Sequence, residues 1–186
     1  MEKLLLVGAG GFGRVVLEHA SALYDCAFLD DGDAAIVDNV PVIGKTGEMA
    51  SLYPEYKLLL VTIGNNKLRE RLYKEAASIG YTFPSIIHPS AYVSPHAHIG
   101  SGCVILNNAV VQNNAKCGDG CILNPGVELH HDSTIGSYCL IYTNSVVRSL
   151  TTVGNRAWIG STATVSTSAV VSDDTTIGDG EVFKAG

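Results

Sequence analysis

The chain has 186 residues, of which 46% are hydrophobic and 16% charged, so it can bury a core and is not a disordered chain. Its formal net charge of -6, with no basic cluster, excludes a nucleic-acid partner. No apolar run reaches the ~18 residues that span a bilayer, and Arg14, Glu18 and His19 interrupt the N-terminal run too early for a signal peptide. We therefore expect a soluble, cytoplasmic protein without membrane contact.

Strand-like and helix-like stretches alternate through residues 1–84. The segment "KLLLVGAGGFGR" predicts a strand, a glycine-rich turn and the start of a helix. "CAFLDD" and "KLLLVTIGNN" predict two more strands, and "KLRERLYKEAASIG" predicts a helix that Gly80 stops. Because strands that alternate with helices form parallel sheets, we expect a small Rossmann-like α/β domain. Pro84 and Pro89 bracket its junction with the rest of the chain.

Gly8, Gly10 and Gly13 form a G-x-G-x-x-G pattern, and Asp30 and Asp31 close the next strand. Glycines allow the backbone to approach phosphate oxygens, the helix N-terminus favours their charge, and an acidic residue can take ribose hydroxyls. A tight turn that binds nothing is the alternative. About 85 residues hold half of a dinucleotide fold, which favours a mononucleotide, although an NAD-binding regulator stays open.

A hydrophobic period of six residues begins at Ile87 and runs to the end of the chain. It covers 17 consecutive positions, of which 15 are Ile, Val or Leu. A small or slender residue lies four residues after each of these positions. A helix needs a spacing of 3.6 and a flat strand a spacing of 2, so neither explains the pattern. Three short strands per coil of a triangular parallel β-helix do explain it, and we assign residues 85–186 to that fold.

Three hexads make an 18-residue coil, so residues 18 apart should stack. Cys103, Cys121 and Cys139 form such a column, which predicts small core side chains rather than metal ligands. Five cysteines without a C-x-x-C pair further indicate reduced thiols. A second column points outward and is apolar, and we expect an exposed interface there. Its members are Val104, Ile122, Leu140 and Trp158.

The segments "GAGGFGR", "FLDD", "IGNNKLRERL", "IIHPSAYVSPHAHIG" and "HDSTIG" follow one another as they do in the NeuD/PglD-like sugar acyltransferases. The chain resembles this family, which includes sialic-acid O-acetyltransferases and bacillosamine N-acetyltransferases, over nearly its whole length. The resemblance implies a left-handed β-helix, a homotrimer, and an N-terminal domain that binds a UDP-sugar or related sugar. It implies acetyl transfer from acetyl-CoA to an amino or hydroxyl group of that sugar, without a metal.

The resemblance also implies site residues. The catalytic residues would be His131, as general base, and Asp132, as its partner. The sugar nucleotide would contact Gly8, Gly10, Gly11, Phe12, Gly13, Asp30, Asp31, Asn65 and Asn66. Acetyl-CoA would lie along Leu140, Ser149 and Thr167.

The chemistry of an imidazole suits the role given to His131. An amine or hydroxyl that attacks a thioester must lose a proton, and an imidazole titrates near neutral pH. A neighbouring carboxylate can fix its tautomer. His131 and Asp132 are the third and fourth residues of the hexad that begins at Leu129, which predicts an outward-facing corner; a solvated corner without function is the alternative.

Two histidines of the β-helix, His96 and His98, raise the question of a zinc site. Residues two apart on a strand face the same way, so the pair could share a metal. His131, however, lies 33 residues beyond His98, which is not a multiple of 18, so the two do not stack. We therefore expect no metal.

Three residues depart from the family pattern. Phe12 stands where many relatives carry a histidine, and Leu140 stands where some carry a second active-site histidine. Ser149 replaces a glycine whose N–H supports the thioester carbonyl in relatives. The chain also ends at "FKAG", short of the usual cap. A catalytically degenerate scaffold that binds a nucleotide sugar therefore stays open as the alternative function.

Overall fold

The computed structural model describes residues 1–184, so the last two residues of "FKAG" lie outside the described part. The chain divides into two compact units, Met1–Ile86 and Ile87–Gly186. The sequence predicts this boundary after residue 84. The predicted fold class, an α/β domain followed by a left-handed parallel β-helix, is confirmed.

The first unit is a five-stranded sheet with helices between its strands. Its elements are β1 (Lys3–Val7), α1 (Gly11–Ala20), β2 (Asp25–Leu29), β3 (Ile36–Val37), β4 (Val40–Gly44), a 3-10 turn (Thr46–Glu48), α2 (Met49–Leu52), β5 (Leu58–Val61) and α3 (Asn66–Ile79). The strand order is β3-β4-β2-β1-β5, with β4, β2, β1 and β5 mutually parallel.

The strands of the first unit form where the apolar runs predict them. The residues of β1 after Lys3 are fully buried, as are most of those in β2 and β5, which is typical of a parallel sheet covered on both faces. Gly80 ends α3 in a left-handed conformation, φ +116°, and its N–H bonds the carbonyls of Ala76 and Ala77. The predicted strands and helices are therefore present.

The β3–β4 hairpin is absent from the sequence prediction. Its two-residue turn, Asp38 and Asn39, has φ values of +47° and +65°, and Val37 pairs with Val40 across it. Asp and Asn tolerate positive φ, and such a turn matches the twist of paired strands. A Val-Asp-Asn-Val stretch is thus a hairpin signal that the helix-strand alternation obscured.

The second unit consists of two-residue strands separated by corners. They are β6 (Ile86–Ile87, which spans the boundary), β7 (Tyr92–Val93), β8 (His98–Ile99), β9 (Val104–Ile105), β10 (Val110–Val111), β11 (Lys116–Cys117), β12 (Ile122–Leu123), β13 (Glu128–Leu129), β14 (Thr134–Ile135), β15 (Leu140–Ile141), β16 (Val146–Val147), β17 (Thr152–Val153), β18 (Trp158–Ile159), β19 (Thr164–Val165), β20 (Val170–Val171), β21 (Thr176–Ile177) and β22 (Val182–Phe183). Every third strand shares a parallel sheet, and partners are 18 residues apart, as Leu129 and Val147 are. The first sheet of this unit has the order β22-β19-β16-β13-β10-β7, the second β20-β17-β14-β11-β8, and the third β21-β18-β15-β12-β9-β6.

The interior of this prism holds the residues that the hexad pattern predicts. From β7 to β22 the second residue of each strand points inward, and Leu129, Ile141 and Val147 are completely buried. Cys103, Cys121 and Cys139 are buried there too, and each thiol donates to a glycine carbonyl in the next coil. All five cysteines are buried and none forms a disulfide, as the predicted reduced thiols require.

From Gly102 to Gly180, each corner turns through a residue with positive φ at the fourth hexad position. Asp132 (φ +60°) and Asn144 (φ +59°) are examples, and Gly, Asn and Asp are frequent at this position. Short polar residues and glycine tolerate this conformation. Leu150 adopts it as well, with φ +61°, although a branched apolar side chain disfavours it.

The apolar column on the third sheet is not exposed as predicted. Val104 and Ile122 are each 1% exposed and Leu140 4%, although none belongs to the cluster inside the prism. Trp158 is half-buried, with its ring centroid 5.0 Å from that of Tyr142. The column points outward, as the strand alternation requires, but three of its four side chains are already covered within one chain, so it is no free interface.

Candidate functional site

The turn after β1 brings the start of α1 against the sheet. Gly8 has φ +110°, and a Cβ at Gly13 would lie 2.0 Å from the Gly8 carbonyl oxygen. The start of α1 can therefore cross the turn this closely only because both residues are glycine. A Cβ at Gly10 or Gly11 would meet nothing within 4 Å. Gly10 is the N-cap of α1 and provides no side-chain cap. The helix therefore presents open backbone N–H groups at its N-terminus.

A cleft of about 380 Å³ opens at this turn, and we call it the glycine cleft. Its lining residues are Gly8, Gly10, Gly11, Phe12, Asp30, Asp31, Thr46, Thr62, Ile63 and Gly64. Six of them come from the predicted nucleotide site. Gly13 lies beneath the cleft, at the helix–strand contact.

The two aspartates of the glycine cleft already hold its loops. Asp30 accepts hydrogen bonds from the Ala9 N–H at 2.7 Å and the Gly32 N–H at 2.8 Å. Asp31 accepts from the Thr46 N–H and hydroxyl, and these bonds hold the pKa of Asp31 below its ordinary value. Both carboxylates thus hold the walls of the cleft in place.

Asn65 and Asn66, predicted to contact the sugar nucleotide, do not line the cleft. The Asn65 side chain caps α3 by accepting from the Leu68 N–H at 2.9 Å, and Asn66 Oδ1 accepts from Arg69 at 2.8 Å. Their amides therefore support the helix behind the site.

Four lining residues were not predicted from the sequence: Thr46, Thr62, Ile63 and Gly64. The last three immediately follow β5, which lies beside β1, and Thr46 follows β4 beyond β2. Ligands bind at the carboxyl ends of parallel strands, so residues just after each strand are candidates once the strand order is known. That order is the missing signal.

In the second unit, His131 lies at the corner between β13 and β14. Its Nδ1 is 2.8 Å from Asp132 Oδ2, and its Nε2 is 3.0 Å from Ser149 Oγ, one coil further along. The His131 N–H donates to Gln112 Oε1 at 3.0 Å, and Asn114 donates to Asp132 Oδ1 at 3.2 Å. We call His131, Asp132 and Ser149 the histidine corner.

The carboxylate decides which ring nitrogen carries the proton. The hydrogen bonds from His131 and Asn114 hold the pKa of Asp132 below its ordinary value, so the carboxylate is ionised and only accepts. Nδ1 must therefore carry the proton, which leaves Nε2 of the neutral ring as an acceptor. The His131 side chain is 55% exposed, so this basic nitrogen is within reach of a ligand.

The neighbouring histidine, His130, has a different setting. Its Nε2 lies 3.1 Å from Glu128 Oε2, on the flank of β13, and its side chain is 26% exposed. It makes no bond to Asp132. The two adjacent histidines are thus distinguished by their partners.

A second cleft of about 380 Å³ adjoins Asp132 on the outer face of the second sheet. It is lined by His96, His98, Asn114, Lys116, Asp132 and Thr134. Within residues 1–184 no group of three His, Cys, Asp or Glu side chains is arranged to hold a metal ion. This polar cleft could receive the hydroxyl-rich part of a ligand whose reacting atom reaches His131.

The predicted acetyl-CoA residues are divided by the fold. Ser149 and the exposed Thr167 follow His131 in one column, each a coil further along. Leu140 lies on the third sheet, across the prism, and at 4% exposure has almost no surface to offer a ligand. Among the described helices, none is both long and apolar enough to cross a bilayer.

Two family models match the chain. The one described as the PglD N-terminal domain matches residues 3–76, and the one described as bacterial transferase hexapeptide (six repeats) matches residues 114–149. The chain is 35% identical over 115 residues to UDP-N-acetylbacillosamine N-acetyltransferase of Bacillus subtilis (strain 168). The match covers 57% of this chain and 52% of that protein, so it spans about half the length of this curated relative.

Solved structures match over the whole chain. The acetyltransferase domain of PglB from Neisseria gonorrhoeae, in complex with acetyl coenzyme A, is 36% identical with a TM-score of 0.92, over 98% of this chain and 93% of that one. A histidine-to-asparagine mutant of perosamine N-acetyltransferase from Caulobacter crescentus, with CoA and GDP-perosamine, is 29% identical with a TM-score of 0.94. That match covers 100% of this chain and 91% of the other.

Proposed function

The chain belongs to the NeuD/PglD-like sugar acyltransferases, and from this premise we propose that it transfers the acetyl group of acetyl-CoA to an amino group of a nucleotide-activated sugar. The observation that carries the proposal is the His131–Asp132 pair, with Nε2 left as an exposed acceptor. We propose an amine rather than a hydroxyl because the Bacillus and Caulobacter proteins are both named N-acetyltransferases.

In this proposal His131 is the general base. The attacking amine gives its proton to Nε2 as the nitrogen–carbon bond forms, and the proton can pass to the departing CoA sulfur. Asp132 keeps the ring in the required tautomer and stabilises the imidazolium. Asn114 and Gln112 fix Asp132 and the His131 backbone, so the base is held ready before the substrate binds.

The glycine cleft would bind the nucleotide part of the acceptor. Its support is the uncapped N-terminus of α1, the free space above Gly10 and Gly11, and the loop held by Asp31 and Thr46. Backbone N–H groups at a helix N-terminus suit a diphosphate. A UDP-sugar acceptor fits the Bacillus relative and a GDP-sugar the Caulobacter one, so both nucleotides belong in the test.

Acetyl-CoA would lie along the column above His131, past Ser149 and Thr167.

The homotrimer implied by the resemblance remains part of the proposal. A second copy would cover apolar residues such as Val170, 72% exposed, and Val182, 57% exposed. Light scattering tests it: the wild type should be trimeric, and Val170→Asp should weaken assembly. A cytoplasmic location is also proposed, supported by five buried cysteines that form no disulfide.

The direct test is release of free CoA thiol from acetyl-CoA in the presence of UDP- and GDP-linked amino sugars. Acceptor-dependent release, with an acetylated sugar as product, is the expected result. Calorimetry with UDP, GDP and NAD runs beside it. Binding of a nucleotide sugar without any turnover would instead support the non-catalytic scaffold, and binding of NAD alone would support the regulator.

A further inference from the structure

Arg69 is buried in the first unit, behind one wall of the glycine cleft. Only 1% of its surface is exposed, and it is the largest of the fully buried side chains. A guanidinium keeps its proton, so it enters a protein interior only where hydrogen-bond acceptors receive it. The position of those acceptors therefore shows what this side chain holds in place.

The acceptors of Arg69 belong to the loop between β5 and α3, residues 62–65, and to the first residue of α3. Nη1 donates to the Ile63 carbonyl at 2.9 Å and to the Gly64 carbonyl at 3.3 Å. Nη2 donates to Asn66 Oδ1 at 2.8 Å. Ile63 and Gly64 line the glycine cleft. One planar guanidinium thus holds two consecutive peptide groups of the cleft wall from its buried side.

The bonds to both carbonyls decide where the N–H groups of the loop point. Both peptides are trans, and in a planar trans peptide the N–H points opposite to the C=O. The Gly64 and Asn65 N–H groups therefore point away from the buried guanidinium. Within residues 1–184 neither N–H has a hydrogen-bond acceptor, and both residues are exposed. The loop thus presents two adjacent, open donors at the cleft.

The other end of the loop is fastened to the glycine-rich turn. The buried Thr62 Oγ1 lies 2.6 Å from the Gly8 carbonyl oxygen and 3.0 Å from that of Val7. Gly10, at the start of α1, and Gly64 line the same cleft. Successive N–H groups that point to one side form an anion-binding concavity, and the N-terminus of a helix also favours an anion. The cleft therefore has two sets of donors for a ligand with two phosphoryl groups.

We infer that Arg69 is a positioning residue for nucleotide binding, because it directs the Gly64 and Asn65 N–H groups toward a phosphoryl group of the acceptor. This inference rests on the proposed function for the identity of the ligand, a sugar linked to a nucleoside diphosphate. The N-terminus of α1 binds one phosphoryl group and the β5–α3 loop binds the other. Arg69 itself touches no ligand.

The test is calorimetry on the full chain with UDP and with acetyl-CoA. Lysine keeps the charge of Arg69 but lacks the planar fork, so Arg69→Lys cannot hold both carbonyls. Its Kd for UDP should rise about 10–100-fold, because hydrogen bonds to a charged group are lost, and its Kd for acetyl-CoA should not change. Arg71→Lys is the matched control, because Arg71 lies on the same helix and is exposed, and it should bind UDP as the wild type does.

A comparison of UDP, inorganic pyrophosphate and uridine separates positioning from a merely structural role. Partial unfolding of the first unit weakens all three ligands by the same factor, because each binds only the folded fraction. A displaced loop weakens UDP and pyrophosphate and leaves the affinity for uridine unchanged. In turnover, Arg69→Lys should accordingly raise the KM for the sugar nucleotide while kcat stays near the wild-type value.

A second variant tests the guanidinium group itself. Arg69→Ala leaves space where the side chain was, and added guanidinium, at a concentration too low to unfold proteins, should restore UDP binding. Methylammonium, which lacks the fork, should not restore it. An Arg69→Ala protein that binds UDP as tightly as Arg71→Ala does would show that the loop needs no clamp and would overturn the inference.

The outcomes separate this inference from the proposed function. A wild type that binds UDP or GDP, with Arg69 variants that keep this affinity or lose uridine and UDP equally, overturns the inference alone. A selective loss of UDP affinity in Arg69→Lys, from a wild type that acetylates no UDP- or GDP-linked amino sugar, supports the inference and refutes the proposed transfer. A wild type that binds neither nucleotide nor pyrophosphate overturns both.

Discussion

The glycine cleft and the histidine corner are built on opposite principles. In the cleft the backbone forms the surface: Gly8 and Gly13 permit a close crossing, Gly10 and Gly11 leave space open, and the carboxylates are occupied with holding loops. At the corner the backbone is one copy of a repeated shape, and only the side chains distinguish it. Changes in the cleft should therefore alter shape and binding, whereas changes at the corner should alter the rate of reaction.

The largest effect is expected at the corner. His131→Ala should reduce acceptor-dependent thiol release about 10²–10⁴-fold, because a general base contributes that much to rate. The fold should persist, since the side chain is 55% exposed. His130→Ala, next to it in sequence but paired with Glu128, is the control and should stay within a few-fold of wild type. An equal loss of thiol release in both variants would contradict the role of His131 as general base.

In the cleft the largest effect is expected on folding. Gly13→Ala places a Cβ 2.0 Å from the Gly8 carbonyl oxygen, so the first unit should lose about 1–3 kcal/mol of unfolding free energy. Gly11→Ala, where the Cβ meets nothing, should stay within about 0.5 kcal/mol.

The measurement can be assigned to each unit. All three α-helices of residues 1–184 lie in the first unit, so helical circular dichroism in a urea titration reports its unfolding. The single tryptophan, Trp158, lies in the second unit, so its fluorescence reports the β-helix. Equal stability of the Gly13 and Gly11 variants in the dichroism transition would contradict the close crossing.

A smaller effect should appear in binding. Gly10→Val fills open space at the N-terminus of α1 and should weaken UDP or GDP binding about tenfold or more, or 1.4 kcal/mol. Loss of the N-cap glycine should cost about 1 kcal/mol of stability. Calorimetry measures the affinity, with acetyl-CoA as the control ligand that the change should leave unaffected. Unchanged nucleotide affinity would place the nucleotide elsewhere.

The smallest effect concerns pH. The pKa of Asp132 is lower in the folded protein than its ordinary value, chiefly because the carboxylate bonds to His131. The contribution of Asp132 to the free energy of unfolding is therefore complete at pH values above that ordinary pKa. It is lost as the pH falls through the lowered pKa. The gain is small because the group is exposed. Urea titrations from neutral to acid pH should show that the free energy of unfolding falls slightly less for Asp132→Asn than for the wild type. An identical fall in both proteins would contradict a stabilising role for the ionised Asp132.

Sequence alone determined the parts of this protein that depend on period and adjacency. The six-residue period selects one prism, because each strand buries its second residue and stacks on the coil 18 residues away. The period also places His131 and Asp132 on one corner, where neighbours can bond without any distant contact, while the roles given to them come from the resemblance to the family. The glycine pattern likewise predicts the turn, because only glycine permits the crossing at Gly8 and Gly13.

Tertiary structure decided whatever depends on side-chain direction and on which segments meet. The sequence stacks Ser149 above His131, but the hydroxyl's bond to Nε2 depends on the directions of both side chains. Thr46 and Thr62 reach the cleft only through the order β4-β2-β1-β5, which local patterns do not encode. Burial of Ile122 and Leu140 is also a tertiary outcome, because the alternation of a strand determines which side a residue faces and not what covers it.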